Sequence, residues 1–542
     1  MPRFDPLIYR YSSRRNVVYA KKAVACTSVP LGAQIGLDVM KSGGNAVDAA
    51  VAMAAAMPLL EPTGNGLGSD CFALVWIEKD QKLYGLNASG VAPMALSADK
   101  VRELGFDQVP KEGWLPPMVP GAPAGWAALN SRFGTKPLAE LFAPAVSYAR
   151  EGYPVPVNVA RQWAKDSRRI AKAMETDPAP HEYWWKSFMK PDGTPYAAGD
   201  LFRFPDYADT LEELAATGCE SYYRGRLMEQ IVAFSQKTGG YFCREDFENY
   251  HPDWVEPITQ NYRGYTVCEI PPNGHGITVL MALGILDGMT MPENRESAEH
   301  YHKVMEAIKL AFADTKTYVA DPRYMKTRVD QLLSPGYLAA RRALISDKAL
   351  EPKAGDPRCG GTIYLCTADE QGNMVSFIQS NYTTFGSGVA IPGTAISLQN
   401  RGANFSLDPA SDNCLAGGKK SYHTIIPGFL LKDGQAVGPF GVMGAFMQPQ
   451  GQAEVIINTL DYHMNPQEAL DAPRIQWIGG KKLQLEREAG EGIAQQLRAM
   501  GHEVEIIDDR IAMGRGQIIW RCENGTLIAG TEPRCDGAVA AW

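Results

Sequence analysis

The chain changes character at Gly360-Gly361-Thr362, and that change limits the folds open to it. Upstream, helical patterns dominate. Downstream, short β-branched strands follow one another, separated by turns such as Asp433-Gly434 and Asn524-Gly525. No obvious linker divides the two stretches, so they predict one α+β body of stacked layers. Residues 33–60 read as a helix of small residues, broken at Ser42-Gly43-Gly44-Asn45 and Ala-rich from Ala46 to Leu60. So many small side chains let a neighbouring layer approach closely. Helical periodicity recurs over 137–170 and 205–235, with a Pro- and aromatic-rich connector over 170–200 and a long amphipathic helix over 297–320.

Thr362 leads a strand, a turn through Asp369 to Asn373, and a second strand ending at Ser380. A threonine hydroxyl is a poor nucleophile until a base takes its proton, and the threonine's own α-amine can be that base once the preceding bond is cut. Gly361–Thr362 is therefore a candidate self-cleavage point. An ordinary hairpin entered through flexible glycines is the competing local reading, and the rest of the chain has to decide between them.

Several classes are excluded by what the chain lacks. Its 53 Lys and Arg against 61 Asp and Glu give a net charge of −8, with no basic run, so neither nucleic acid nor an anionic membrane is an expected partner. The longest apolar stretch, Ala46–Leu60, carries Asp48 and is too short to span a bilayer, and the N-terminus has no apolar signal core; a soluble cytoplasmic protein is expected. Ten cysteines without C-x-x-C spacing read as mostly buried thiols. His300 and His302 stand two apart on a predicted helix and point to different faces, which is poor metal geometry, so no metal or other cofactor is expected.

Four further segments are polar or glycine-rich. The loop from Glu61 to Asp70 (Gly64, Gly66, Gly68) precedes a strand and lacks Gly-Lys-Ser/Thr, the wrong context for phosphate. Gly441 to Gly451 is a glycine turn between a strand and the helical run Gln452–Leu460; its adjacent amides, including Gly444 and Ala445, suit a developing oxyanion. His423 lies among polar residues at the mouth of an apolar strand. Met513–Gln517 and Glu532–Ala538 read as solvated turns.

In order along nearly the whole chain, these pieces resemble the γ-glutamyltransferase family of N-terminal-nucleophile hydrolases. The resemblance rests on Gly43 to Asp48, Glu61 to Gly68, Val119-Pro-Gly121, Pro271-Pro-Asn-Gly274, Glu306 to Asp314, Thr362, Asp369 to Asn373, Phe385 to Gly388, Asn400 to Ser406, Gly441 to Ala445 and Ala472-Pro-Arg474. It implies a four-layer αββα sandwich and a precursor that cuts itself before Thr362. Residues 1–361 would form a helix-rich large subunit and 362–542 a strand-rich small one, together one globular heterodimer that can pair again as a dimer of heterodimers. It implies Thr362 as nucleophile and base, Ser380 steadying it, and Gly444 and Ala445 as the oxyanion hole. The substrate would be a small amide.

The chain departs from the family's γ-glutamyl pocket. Ile363-Tyr364 replaces a Thr-His pair, and Ser89 stands where an arginine grips the substrate α-carboxylate. His423-Thr424 replace paired serines, Asn404 an ammonium-binding aspartate, Tyr382 an asparagine and Arg401 a glutamine. An ammonium without its carboxylate forfeits a few kcal/mol in a partly dry site, whereas Arg401 offers a fork to a plain carboxylate. The pattern resembles the acylase and oxamate amidohydrolase branch. It implies hydrolysis of an oxamate-like or glutaryl amide, the alternative being a γ-glutamyl hydrolase or transpeptidase acting on glutathione-like amides.

Overall fold

The computed structural model describes residues 15–352 and 362–542; Gly361, on the upstream side of the expected cut, lies outside them. Fourteen strands build its two large sheets. In chain order they are β1 (Val18–Ala20), β2 (Val24–Thr27), β3 (Asp70–Ile77), β4 (Lys82–Ala88), β5 (Asp253–Val255), β6 (Ile258–Tyr262) and β7 (Tyr265–Glu269). After Thr362 come β8 (Ile363–Ala368), β9 (Met374–Ser380), β10 (Gly428–Lys432), β11 (Gln435–Met443), β12 (Arg515–Arg521), β13 (Leu527–Thr531) and β14 (Ala538–Ala541). One sheet runs β14-β2-β8-β9-β3-β4-β5, the other β1-β13-β12-β11-β10-β7-β6. Both therefore draw strands from each side of Thr362, so the upstream stretch is richer in strands than its helical pattern predicts.

The sheets stack face to face between two helical layers. Alternation along β8 shows this directly: Ile363 and Leu365 join the core shared with α1 (Pro30–Lys41) and α2 (Ala46–Leu60). Tyr364 and Cys366 point the other way, into the core shared with the second sheet and with α3 (Gly276–Asp287), α4 (Ala298–Tyr318) and α5 (Met447–Leu460). This period of two is what a strand buried on both faces requires. The result is the four-layer αββα sandwich.

Helix α2 shows how sequence sets the spacing of layers. The Asn45 side chain accepts from the amides of Val47 and Asp48, and Asp48 returns a bond to the Asn45 amide at 3.0 Å, a capping box that starts the helix. All fifteen residues are buried. Where α1 crosses it, Gly36 has no room for a side chain: a Cβ would stand 2.3 Å from the Met53 sulfur.

Two expectations need correction. Helix α4 is buried on nearly every side, Glu306 and Lys309 included, because their charges pair at 2.7 Å inside the core. Met513–Gln517 and Glu532–Ala538 are not solvated turns. Arg515 opens β12 and binds buried Glu61 at 2.8 Å. Arg474 Nη2 reaches Glu532 at 2.8 Å, and Arg534 bridges Glu532 at 2.6 Å and Glu486. Polar composition suggested exposure, but the opposite charges satisfy one another without water.

Candidate active site

The candidate site forms at one end of the β8-β9-β3 sheet, on the face toward the second sheet. Antiparallel register sets Ser380 opposite Asp70, and Thr362, one residue before β8, hydrogen-bonds Ser380 hydroxyl to hydroxyl at 2.9 Å. Thr362, Ser380 and Asp70 thus form one row across three strands, each strand step about 4.8 Å. Thr362 is only 1% exposed. The glycine loop after α2 lies directly beside it: a Cβ on Gly64 would stand 3.2 Å from the Thr362 carbonyl oxygen. On Gly68 it would collide with the Ser397 carbonyl at 2.3 Å. The loop's glycines are there for close backbone approach.

Arg401 joins the row from a short 3-10 turn, Arg401–Asn404. Its side chain is fully buried, donating from Nη1 to Thr424 Oγ1 at 2.6 Å and from Nη2 to Ser380 Oγ at 3.3 Å. The guanidinium lies over the Tyr382 ring, 4.6 Å from its centroid. Among the described residues Nε has no hydrogen-bond partner and no carboxylate forms a salt bridge with the group. Burial lowers its pKa to about 10, with Asp70 the charge that raises it most. Buried arginine without a direct counter-ion is costly. The Arg474–Glu532–Arg534–Glu486 cluster shows that this fold pairs such charges elsewhere.

Asp70 is buried as completely. Its Oδ1 accepts from the Gly90 amide at 3.0 Å; its Oδ2 lies 3.0 Å from His423 Nε2 and 3.4 Å from Gln399 Nε2. Burial, opposed by Arg401, pushes the carboxyl up to about 7. The same burial, with Arg401 nearby, drives His423 well below the usual imidazole range, so the ring is neutral. The Ile425 amide donates to Nδ1 at 3.4 Å, which leaves the proton on Nε2, pointing at Asp70.

A cavity of about 600 Å³ meets this row at Tyr382, whose ring carries the Arg401 guanidinium; Thr362, Ser380, Asp70 and Arg401 do not themselves line it. Tyr382, Asn404, Tyr422, Phe446 and the cationic Lys316 line it, together with residues 106–112. The Asn404 side-chain amide nitrogen is buried and has no partner among the described residues. Gly444 and Ala445 immediately precede Phe446. Contacts locate them along the strands: Ser376 Oγ reaches the Phe440 carbonyl, and a Cβ on Gly441 would meet the Tyr364 ring at 2.4 Å. Moving up β11 is therefore moving along β8 toward Thr362. The turn sits at the site's end of the sandwich, where Ala445 has a left-handed φ of +51°, an outlier of the kind that collects at functional sites.

The predicted residues Thr362, Ser380, Tyr382, Arg401, Asn404, His423 and Thr424 thus gather around one row and its adjoining cavity. Asp70 escaped sequence reading. It closes a glycine loop that looked purely conformational, and its place opposite Ser380 follows from pairing of strands far apart in the chain. His502 and Glu306 were also missed: their ligand atoms and those of His302 lie within 4.8 Å of one another. Lys309 Nζ already fills the cationic position there, donating to Glu306 at 2.7 Å and to His502 Nδ1 at 3.3 Å. His502 and His302 share a 2.8 Å bond, and His302 Nε2 is 2.7 Å from the Ser346 carbonyl. Every ring nitrogen is used by protein, so the cluster reads as a structural network rather than a metal centre.

Comparison with known proteins agrees with this architecture. The gamma-glutamyltranspeptidase family model matches residues 32–542. The glutathione hydrolase-like YwrD proenzyme of Bacillus subtilis is 33% identical over 94% of this chain and 96% of its own. Oxamate amidohydrolase proenzyme of Klebsiella pneumoniae is 34% identical over 94% and 97%. The crystal structure of a cephalosporin acylase from Bacillus halodurans superposes with a TM-score of 0.96 at 52% identity, covering 100% of this chain and 99% of that one. The chain therefore belongs to the gamma-glutamyltranspeptidase family and is an enzyme of its amide-hydrolysing kind.

Proposed function

We propose that this chain is a self-cleaving hydrolase of small amides that carry a carboxylate and lack an α-amino group. Cleavage of Gly361–Thr362 leaves residues 1–361 and 362–542 as a heterodimer and frees the Thr362 α-amine. That amine takes the proton of Thr362 Oγ1, and the oxygen attacks the substrate carbonyl. Ser380 Oγ, 2.9 Å away, holds the hydroxyl in place. The Gly444 and Ala445 amides receive the oxyanion. The leaving amine departs protonated, and water attacks the threonyl ester to release the acid.

The carrying observation is Arg401: a buried guanidinium held by neutral partners, with an unused Nε–H, no more than two hydrogen-bond lengths from the Thr362 hydroxyl. A substrate carboxylate supplies the direct salt-bridge partner that the described side chains do not. That short span also bears on acyl length. Ser89, where the family's carboxylate-gripping arginine falls, lies past the end of β4, on the far side of β3 from Ser380. Moving the grip next to Ser380 favours acyl groups of the oxamate kind over glutaryl, whose methylenes would have to fold. A γ-glutamyl head finds no arginine at Ser89 and no acid at Asn404.

The test is a substrate panel on cleaved enzyme: oxamate, longer half-amides up to glutaramate, neutral oxamide and γ-glutamyl-p-nitroanilide. The proposal expects oxamate-like amides fastest and oxamide slow. Faster release from γ-glutamyl-p-nitroanilide than from every half-amide would overturn it.

A further inference from the structure

Arg401's charge must be balanced before substrate arrives, and the geometry says by what. Asp70 is the acidic group that acts on it most strongly, and Arg401 in turn is the charge that most lowers the Asp70 carboxyl. Asp70 sits in the same cross-strand row, opposite the Ser380 that Arg401 touches. The groups facing Asp70 and its partner His423 come from several elements. Arg401 and Lys420 belong to the segment leading into β10, and His275 lies at the start of α3. Tyr222 and Tyr250 come from the outer helical layer, and Cys71 follows Asp70 in β3. Burial holds Tyr222, Tyr250 and Cys71 protonated and His275 neutral, with a pKa of about 3. Lys420 is already engaged by Asp253. The balance at the row is thus one Arg401 cation against one Asp70–His423 pair.

We propose that the Asp70–His423 pair is the resident counter-ion of Arg401, and that a substrate carboxylate reaching Arg401 is accompanied by uptake of one proton from solvent onto that pair. This rests on Arg401 being the carboxylate anchor. Two carboxylates around one guanidinium in a dry site repel, and the cheapest relief is to protonate one of them, as in any pair of acids sharing a site. The proton belongs to the pair: it can sit on Asp70, or on His423 Nδ1 at the expense of the long 3.4 Å bond from the Ile425 amide. Asp70, pushed up to about 7 by burial, needs little further help to take it. The sign follows. A group that gains a proton when ligand binds makes binding strong below its free pKa and weaker above it, by about tenfold per pH unit until the bound-state pKa is reached.

The experiment compares cleaved wild type with cleaved Asp70→Asn, measuring KM for oxamate from mildly acid to mildly alkaline pH. The Thr362 α-amine titrates in both and cancels. Wild-type KM should be flat at acid pH and rise up to about tenfold per unit above neutrality; Asp70→Asn should be flat throughout and bind oxamate more tightly than wild type at the alkaline end. An identical pH slope in both proteins overturns the proposal. Propionate, a carboxylate with no amide to cleave, supplies a readout on wild type alone if Asp70→Asn fails to mature. Calorimetry in two buffers of unlike ionisation heat should register up to one proton taken up per propionate near neutrality, and zero contradicts the proposal. Arg401→Met separates the two ideas. If oxamate and oxamide lose equally, the anchor reading has failed; if oxamate alone loses while the Asp70→Asn slope matches wild type, only the counter-ion role has failed.

Discussion

Two buried arginine clusters in this molecule have opposite character. In the first, Arg534 is fully enclosed by Glu532 and Glu486, and Arg474 shares Glu532 while donating from Nη1 to the carbonyls of Met513 and Gly514, both at 2.9 Å. Each charge meets its opposite, and the cluster ties β12 to the segments around Arg474 and Arg534. In the second, Arg401 is as deeply buried yet donates to two hydroxyls and leaves Nε unused. A fold that pairs its arginines so directly at one place and not at the other fits the proposal that the second charge meets a substrate carboxylate. On that proposal the first cluster is scaffold and the second recognition.

The largest effect that would break this comparison lies beside Arg401. Thr362→Ala removes the hydroxyl to which the proposed mechanism assigns both cleavage and hydrolysis, so a denaturing gel should show one full-length chain and activity should vanish. Two fragments from the variant would sink the nucleophile assignment. Next in size is the scaffold cluster. Arg534→Met leaves buried Glu532 to Arg474 alone and buried Glu486 to Arg510, and losing the central cation should cost about 3 kcal/mol of stability in chemical unfolding, the low end for breaking a buried pair. A loss below about 1 kcal/mol would mean the network is not what holds these segments.

A smaller, pH-dependent effect belongs to Glu454 on α5, whose carboxyl oxygens have no hydrogen-bond partner among the described residues. Burial, opposed by Arg474 and Arg295, raises it from 4.5 to about 8. A carboxyl raised in the folded state gives stability that is complete below its ordinary value and is lost as pH climbs through about 8. The wild-type free energy of unfolding should therefore fall from acid toward alkaline pH, with a contribution from this group of up to about 1.4 kcal/mol per pH unit, and Glu454→Gln should flatten that fall. Parallel pH curves for the two proteins would show that Glu454 is not the group responsible.

Much of this was legible in the sequence, for physical reasons that can be named. The hairpin through Thr362 and Ser380 is local, so alternation and the Asp369–Asn373 turn suffice to place both residues at its open end. The Ala-rich run from Ala46 declares a close-packed helix through its small side chains, and the glycine turn before Phe446 through backbone freedom. What stayed hidden depends on pairing across the chain. Asp70 becomes part of the site only when β3 lies beside β9, and Arg515 becomes a core residue only when it meets Glu61. His502 likewise gains meaning from His302 and Lys309 on α4. No local period carries that information. Charged residues in glycine-rich segments look solvated until their partners arrive.

The comparison of the two arginines is tested most directly by Arg401→Met in the cleaved enzyme, with thermal stability and kinetics measured on the same preparation. Replacing a buried guanidinium that has no direct salt-bridge partner by an apolar side chain should leave Tm unchanged or raised, with Asp70 taking up a proton in its place. kcat/KM for oxamate should fall on the order of a hundredfold, matching the few kcal/mol of a charge-assisted bidentate contact, while the slow turnover of neutral oxamide barely changes. A collapse in Tm with equal loss on both substrates would make Arg401 a structural residue, and the account of a carboxylate-reading pocket would be wrong.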